Sequence, residues 1–356
     1  MPTSDVDAAI AQTLAATNAA VEPVGTGAHD LLEPLTRFAT KGKRIRAKLL
    51  VASHGAHHGT HHSAVIHVAA AVELFQTAAL IHDDVLDSAD TRRGEATIHR
   101  ALEAQHRERA WTGDAAHYGV SGAVLAGDLA LMAAHRALAM GGSLVPAAQA
   151  TRTLSLFASM AELCTAGQYL DMRVAAQPVE ALEGQYGDVV AVMRSKTASY
   201  TAEFPLALGA SVAGASDEAV AAMRAVGVPL GIAFQLRDDI LGLVGAPDIT
   251  GKPAGDDVRE GKRTLLMVHA WNHADASQRQ AIVAAFGNAH AQAHEIDAAV
   301  EVAVSLGAVE QAEKDIERLV ADARTALARA IVDSALDSDA LAQLDTLVTA
   351  TTQRVA

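Results

Sequence analysis

The sequence predicts an all-α fold, in which one domain over residues 1–356 forms a bundle of about ten or more helices. Hydrophobic residues recur at helical spacing along almost the whole chain, and no convincing alternating strand pattern interrupts them. Hydrophobic residues make up 50% of the chain, but aromatic residues only 3%. An interior built from alanine, leucine and valine favours closely packed helices over a β-sandwich.

Each predicted helix is a periodic hydrophobic run that ends at glycine, proline or a polar cluster. The clearest breaks lie at 25–27, 141–142, 177–178 and 245–261. The last of these combines glycine, proline and charged residues, which predicts a long ordered or lid-like loop. The predicted helices cover, with uncertain ends, 5–21, 29–39, 43–54, 63–87, 119–140, 144–174, 179–193, 196–214, 217–244, 264–273 and several more from 275 to 351.

The net charge of -14 argues against a general role in binding nucleic acid. The first seven residues carry two acids and no base, unlike a signal or transit peptide. No charge-free apolar run reaches the roughly 18 residues that cross a bilayer, so we expect a cytoplasmic protein without stable membrane insertion. The single cysteine, Cys164, excludes an intramolecular disulfide, and its neighbours predict a buried helical position.

Two acidic clusters follow apolar helical runs. In the first, Asp83 and Asp87 are four residues apart and so project from one helix face, with Asp84 beside them. Carboxylates at a helix C-terminus repel one another and oppose the helix dipole. A hard cation offsets that cost, and magnesium shared between carboxylates and substrate phosphates fits. A second cluster, Asp238-Asp239, suggests two such sites facing one cavity around a diphosphate.

Basic segments accompany both clusters. One opens a predicted helix, where Lys43 and Arg46 are three residues apart and so share a face. Arg92-Arg93 follows the first cluster directly, and two segments with Lys252 and with Lys262-Arg263 follow the second. Each segment alone fits a solvated charged turn. Together with the carboxylates, they fit a site for two diphosphates, one chelated by metal and the other bound directly by arginine and lysine.

The stretch 54–62 contains five histidines, at positions 54, 57, 58, 61 and 62. Two interpretations stand side by side, a metal site or a solvated loop between helices. The stretch has two glycines and no acidic partner, which favours the loop.

With these acidic and basic segments, the chain resembles the trans-prenyl diphosphate synthases. The resemblance covers about residues 40 to 265, and it is most like bacterial geranylgeranyl diphosphate synthases around 238–264. The motifs that carry it, all in the order that the family has, are Gly42-Lys43-Arg44-Ile45-Arg46, Asp83-Asp84-Val85-Leu86-Asp87, Arg92-Arg93-Gly94, Gly167-Gln168-Tyr169-Leu170-Asp171, Lys196-Thr197, Phe234-Gln235 through Asp239, and Gly251-Lys252.

The resemblance implies an isoprenoid synthase fold around a central apolar cavity, a homodimer, and magnesium as cofactor, with three ions per site. Isopentenyl diphosphate would be bound by Lys43, Arg46, Gln76 and Arg93. The allylic diphosphate would be bound by Arg92, Lys196 and Lys252, and its magnesium ions by Asp83, Asp87 and Asp238. Asp84, Asp171, Asp239 and Asp256 would complete the metal site through water or indirectly. Thr197 and Gln235 would lie beside the reacting carbons, so that the catalytic set is Lys196, Thr197 and Gln235.

Two positions depart from the family pattern. Gly242 stands where the second cluster has its last aspartate, which predicts weaker metal binding in an active site that still works. Lys41 stands where many relatives have a second glycine, which predicts a slightly shifted isopentenyl pocket.

The implied reaction is ionisation, condensation and elimination without a protein nucleophile. In the same helix, Ala79 and Ala78 lie one turn before Asp83, and Phe75 lies a second turn before it, at about 5.4 Å per turn. In the family, bulky residues at the two alanine positions stop growth at fifteen carbons. Alanines there, with Phe75 as a deeper floor, predict a C20 product; the other interpretation is that all three are ordinary packing residues.

Four alternatives stay open: a longer-chain synthase (C25 or more), a C15 synthase, a class I terpene cyclase, and a non-catalytic partner subunit. A cyclase binds no second diphosphate and usually has an aromatic-lined cavity, whereas this chain has 6 Phe, 4 Tyr and 2 Trp. Gly242 is the only feature that favours the partner subunit.

Overall fold

The computed structural model describes residues 3–245, 254–333 and 338–352. Helices dominate these ranges, which confirms the predicted all-α fold. The α-helices are α1 (Ser4–Val21), α2 (His29–Ala39), α3 (Ile45–Ala56), α4 (His62–Leu86), α5 (Ile98–Glu108), α6 (Ala115–Gly142), α7 (Ala147–Ala175), α8 (Tyr186–Val192), α9 (Phe204–Ala213), α10 (Asp217–Val244), α11 (Asp256–Arg259), α12 (Leu265–His273), α13 (Ala276–Ala285), α14 (Ala293–Ser305), α15 (Ala308–Asp333) and α16 (Ser338–Thr352).

Three kinds of shorter element connect the α-helices. Strands β1 (Thr91–Arg92) and β2 (Glu95–Ala96) pair antiparallel, with Thr91 opposite Ala96 and Arg92 opposite Glu95. A π-helix (Met193–Glu203) joins α8 to α9. Short 3₁₀ turns occupy Glu22–Val24, Thr26–Ala28 and Val179–Gly184.

Most predicted helices are confirmed within a few residues, but α5 was missed. Its sequence is rich in charged residues, and its apolar face is short, with Ile98 and Leu102 buried beside His106. The predicted loop 245–261 contains helix α11, so that part of the prediction was wrong. Residues 246–253 of this loop lie outside the described residues.

The described residues form two compact units. Among these residues, the first unit comprises 3–157 and 207–216, and the second comprises 158–206, 217–245, 254–333 and 338–352. The interpretation of the whole chain as one domain stays a prediction.

In the first unit, the long helices α4 and α6 pack along each other. Their contact is lined by fully buried alanines, among them Ala71 on α4 and Ala130 on α6. A Cβ on Gly141 of α6 would lie 2.8 Å from Cγ2 of Val68 on α4, so only a glycine fits there. Small side chains let the two backbones approach closely, which confirms the alanine-rich interior expected from composition.

In the second unit, α10 packs against the π-helix and α15. A Cβ on Gly231 would lie 2.5 Å from the Cα and 2.6 Å from the Cβ of Ala198, so a glycine is needed where α10 crosses the widened helix. The rest of the core lies among α10 and α12 to α15, with Leu236, Trp271 and Ile282 buried in it.

Three helices, α4, α6 and α10, are long and apolar enough to cross a membrane, judged by length and composition alone. The protein itself covers 72%, 44% and 56% of their respective apolar windows. In α4 the buried Glu73 lies at ion-pair distance (3.6 Å) from Arg44. Absence of stable membrane insertion stays a prediction.

The histidine-rich stretch runs from the end of α3 to the start of α4. Among the described residues, no group of three or more His, Cys, Asp or Glu side chains is placed to hold a metal ion. The interpretation of this stretch as a loop stays a prediction. His54 is not a solvated loop residue. It lies in the last turn of α3, is only 2% exposed, and its ring packs against Gly59. Its burial, with the charges of His62, His61 and His57, lowers the pKa of His54 to about 4.

The close approach at Gly231 predicts that Gly231→Ala destabilises the protein. The added methyl group must displace backbone atoms of the π-helix, at a cost of about 1–3 kcal/mol. Thermal or urea unfolding measures this. Gly187→Ala on α8 is the matched control, because no atom lies within 4 Å of its added Cβ; alanine there should leave stability unchanged or raise it by about 0.5–1 kcal/mol. Equal effects of the two substitutions would contradict the packing interpretation.

The buried His54 predicts a loss of stability in acid. An unfolded histidine gains its proton near pH 6.5, but His54 stays neutral in the folded state down to about pH 4. Its contribution is therefore complete above pH 6.5 and is lost as the pH falls towards 4, on the order of 3 kcal/mol. Urea unfolding between pH 7 and pH 4.5 should show a shallower pH dependence for His54→Leu. The exposed His117→Leu on α6 serves as control and should keep the wild-type slope.

Candidate active site

The first acidic cluster lies at the C-terminal end of α4. Asp83 and Asp84 belong to its last turn, and Asp87 is the residue that caps it. Asp84 is buried, Asp83 is half-buried and Asp87 is exposed. Asp83 and Asp87 thus share one face at the helix end, as their spacing predicted.

The hairpin of β1 and β2 returns the chain to this cluster. Arg93 and Gly94 form its two-residue turn with φ of 54° and 76°. Positive φ at both positions is typical of a type I′ turn, which matches the twist of paired strands. Arg92 precedes the turn. Its Nε donates to Oδ1 of Asp84 at 2.6 Å, and its Nη2 lies 3.4 Å from Oδ2 of Asp83.

Arg92 therefore offsets the repulsion within the cluster. Burial by itself lowers the pKa of Arg92, but the charges of Asp84, Asp83 and Asp87 outweigh burial and hold that pKa above its ordinary value. The guanidinium is thus a permanent cation beside three carboxylates. The resemblance implied a diphosphate contact for Arg92; in the structure, the same side chain orients the carboxylates.

Arg92 and Arg93 line one cleft with Phe38, Lys41 and Glu95. Arg93 is exposed, donates to the carbonyl oxygen of Lys41 at 3.0 Å, and lies over the ring of Phe38 with 5.8 Å from Cζ to the ring centroid. Partial desolvation of the guanidinium where it lies against the cleft, followed by the positive charges of neighbouring arginines, lowers the pKa of Arg93. The cleft is basic and fits an anionic group.

Arg44 was not predicted to have a role, and the structure shows that it anchors α3. It has φ 55° at the helix N-cap, and its Nε donates to Oδ1 of Asp7 at 2.7 Å. Glu73 on α4 accepts from the backbone N–H of Ala47 at 3.0 Å and lies 3.6 Å from Nη1 of Arg44. The structure thereby positions the basic motif by a buried ion pair.

The helical spacing inferred for Lys43 and Arg46 was wrong. Helix α3 begins at Ile45, because Gly42 (φ 137°) and Arg44 (φ 55°) have left-handed backbone conformations that end any helical register before it. Lys43 is exposed outside the helix, whereas Arg46 is 6% exposed within it. Neither residue, nor the half-buried Gln76, lines the cleft of Arg92 and Arg93.

The three predicted chain-length residues lie on α4. Phe75 is 4% exposed and meets Phe157 edge-to-face, with 5.9 Å between ring centroids. Ala78 is fully buried, and Ala79 is half-buried on the same face as Asp83 and Phe75. A larger side chain at Ala78 must therefore displace packed neighbours, whereas Ala79 has a partly open face.

In the second unit, two motifs that are far apart in sequence meet. Nζ of Lys196 lies 2.6 Å from Oδ2 of Asp171. Lys196 belongs to the π-helix, and a Cβ on Gly167 would lie 2.6 Å from Oγ of Ser195, so glycine permits this approach. Single-turn π-bulges are frequent at functional sites, and here the widened segment also carries the half-buried Thr197.

The second acidic cluster lies near the end of α10, where Asp238 is half-buried and Asp239 is 3% exposed. Oδ1 of Asp239 accepts from Nε2 of Gln235 at 2.8 Å and from Nζ of Lys262 at 2.9 Å. Nζ of Lys262 also lies 3.3 Å from Oδ2 of Asp257. Burial by itself lowers the pKa of Lys262, but these two carboxylates hold it well above its ordinary value.

Lys262 and Asp257 are candidate site residues that the sequence did not single out. The segment with Lys262 was recognised as basic, but nothing distinguished it from Arg263, which instead donates to the carbonyl oxygen of Gln177 and lies over the ring of Phe286. Asp256, the neighbour of Asp257, was favoured instead. Lys252 lies outside the described residues.

Comparison with known proteins identifies the family of this chain. The family model for polyprenyl synthetase matches residues 29–303. The geranylgeranyl diphosphate synthase of Sulfolobus acidocaldarius is 31% identical over 265 residues, 74% of each chain. That of Mycobacterium tuberculosis is 37% identical over 237 residues, 67% of this chain and 61% of the relative.

The crystal structure of geranylgeranyl pyrophosphate synthase from Corynebacterium glutamicum, complexed with isoprenyl diphosphate and magnesium, is also similar. It matches with a TM-score of 0.88 and 38% identity over 98% of each chain. The chain therefore belongs to the polyprenyl synthetase family, and its all-α fold is of the isoprenoid synthase type.

Proposed function

We propose that this chain is a magnesium-dependent trans-prenyltransferase that extends an allylic diphosphate with isopentenyl diphosphate to a C20 product, geranylgeranyl diphosphate. The observation that carries the proposal is that each acidic helix end has a base at hydrogen-bonding distance, Arg92 at the first and Lys262 at the second. Carboxylates and bases in this arrangement suit a metal-bound diphosphate.

The donor set fits magnesium. Asp83, Asp87 and Asp238 present carboxylate oxygens, which hard cations prefer. No group of three such side chains is ready to hold a metal among the described residues, and magnesium characteristically takes its remaining ligands from water and phosphate. When bound, magnesium supplies positive charge that stabilises the departing pyrophosphate. We propose three ions per site.

Lysine and arginine side chains of the chain would also stabilise the negative charge of the two diphosphates. Lys196 is held by Asp171 and provides a cation for the allylic diphosphate, while Arg93 and Lys41 line a cleft for the second diphosphate. These fixed charges stabilise the charge that grows on the leaving group as the allylic C–O bond breaks. The isopentenyl double bond then attacks the cation, and a proton is lost to pyrophosphate.

We also propose a cytoplasmic homodimer. Helix α6 has several large apolar side chains in contact with solvent, including Leu125 at 56% and Met132 at 59% exposure. An apolar helix face of this kind supports self-association.

Loss of a single aspartate from either acidic cluster should lower turnover strongly. We expect Asp83→Ala and Asp238→Ala each to lower the condensation rate at least about a hundredfold. Each substitution removes a carboxylate that would bind the magnesium, and the magnesium stabilises the negative charge of the leaving pyrophosphate. Incorporation of radiolabelled isopentenyl diphosphate at saturating magnesium measures the rate. The control is Asp90→Ala, whose carboxylate is 76% exposed and pairs with Arg100; its rate should stay within about twofold of wild type. Near-normal rates for Asp83→Ala or Asp238→Ala would contradict the metal assignment.

Chain length should depend on Ala79. We expect Ala79→Phe to shift the main product from C20 towards C15, because a ring one turn before Asp83 blocks the growing chain above Phe75. Chromatographic sizing of the products from C5, C10 and C15 primers measures this. Ala79→Ser keeps a small side chain and should keep the C20 product. An unchanged product in Ala79→Phe would place the growing chain elsewhere.

A further inference from the structure

Position 242 is one turn beyond Asp238 on α10. A side chain there projects from the same helix face as Asp238, because residues four apart share a face. The chain has glycine at this position, so helix α10 by itself offers one carboxylate fewer on the face of Asp238.

Another carboxylate occupies that place. A Cβ built on Gly242 would lie 2.6 Å from Cγ and 3.0 Å from Oδ1 of Asp257, with Oδ2 in still closer contact. The Asp257 carboxylate therefore stands where a side chain at position 242 would begin. Any larger residue at position 242 would collide with it, and an aspartate would add like-charge repulsion.

The surrounding structure fixes Asp257 in this position. The backbone N–H of Gly255 donates to the carbonyl oxygen of Gly242 at 3.3 Å, which joins the start of α11 to the end of α10. Val258, next to Asp257, is fully buried in the core. The backbone N–H of Lys262 donates to the carbonyl oxygen of Asp257 at 2.9 Å, and its Nζ lies 3.3 Å from Oδ2. The contact is therefore built into the fold of this unit.

Three of the carboxylates in this region, those of Asp238, Asp239 and Asp257, differ in their exposure. Oδ1 of the buried Asp239 accepts from both Gln235 and Lys262. Asp257 keeps 16% of its side chain exposed, and Asp238 is half-buried. Asp239 is therefore the anchor of the cluster, while Asp238 and Asp257 are the carboxylates that a ligand can reach.

We propose that Asp257 supplies the carboxylate that position 242 lacks, so that Asp238 and Asp257 together bind the magnesium–diphosphate group. The inference rests on the proposed function and deepens it. Gly242 then does not weaken metal binding, because its missing side chain leaves the space that the Asp257 carboxylate occupies. The second acidic cluster is thus assembled from two segments, α10 and α11.

Moving the carboxylate back to α10 tests the proposal. Isothermal titration calorimetry measures magnesium binding to the full chain in the presence of inorganic pyrophosphate. We expect Asp257→Ala to weaken this binding on the order of tenfold or more. Gly242→Asp alone should also weaken it, and should lower the unfolding temperature without magnesium, because the new side chain meets Asp257. The double variant Gly242→Asp with Asp257→Ala should bind within about threefold of wild type.

Three controls keep the outcome interpretable. Asp257→Asn preserves shape and tests the charge without opening a cavity, and it should bind as weakly as Asp257→Ala. Glu260→Gln removes the same charge from an exposed residue of the same segment and should bind like wild type. The double variant Gly242→Ala with Asp257→Ala has space for the new methyl group but lacks the carboxylate, so its magnesium binding should stay as weak as that of Asp257→Ala.

Wild-type affinity in Asp257→Asn, or a double variant no tighter than Asp257→Ala, would overturn the inference. A wild-type protein that does not bind magnesium with pyrophosphate would overturn it as well. The proposed function has its own test, because a wild-type protein that binds both ligands but does not condense isopentenyl diphosphate refutes that function and leaves the assignment of Asp257 standing.

Discussion

Both acidic clusters depend on one constraint, which is that the negative charge of aspartates at the end of an apolar helix must be offset. Acidic side chains at a helix C-terminus oppose the helix dipole, and burial raises the cost of their charge. In each unit the cost is offset by a base that follows in the chain, Arg92 eight residues after Asp84 and Lys262 after Asp239. The short connections, a hairpin in one unit and helix α11 in the other, bring each base back to its cluster.

This compensation does more than stabilise the fold. A base that forms a hydrogen bond with one carboxylate of a cluster also fixes the geometry of that cluster. Asp84 and Asp239 are the buried members of the two clusters, whereas Asp83 and Asp238 are half-buried. Pre-organised charge of this kind is effective in catalysis because it needs little rearrangement during the reaction.

Close packing around the π-helix also depends on small residues. Gly167 and Gly231 adjoin the π-helix that carries Lys196, and a Cβ at either position would collide with it. A π-helix is wider than an α-helix, so its neighbours need short side chains. The abundance of glycine and alanine thus permits the close packing around the segment that carries Lys196.

The sequence by itself determined the all-α class, most helix positions, both acidic clusters and the family, because helical periodicity and motif order are properties of the linear chain. It did not reveal α5, whose charged surface obscures a short apolar face, or the start of α3 at Ile45, which depends on backbone conformation at Gly42 and Arg44.

Only the tertiary structure decided which bases pair with the acidic clusters. Lys262 and Arg263 are adjacent in sequence, yet one binds two carboxylates and the other packs against Phe286. Likewise, only the fold placed Asp257 against Gly242. The physical reason is that local sequence sets helix propensity and charge, whereas a pairing depends on which residues distant in the chain share the same few ångströms.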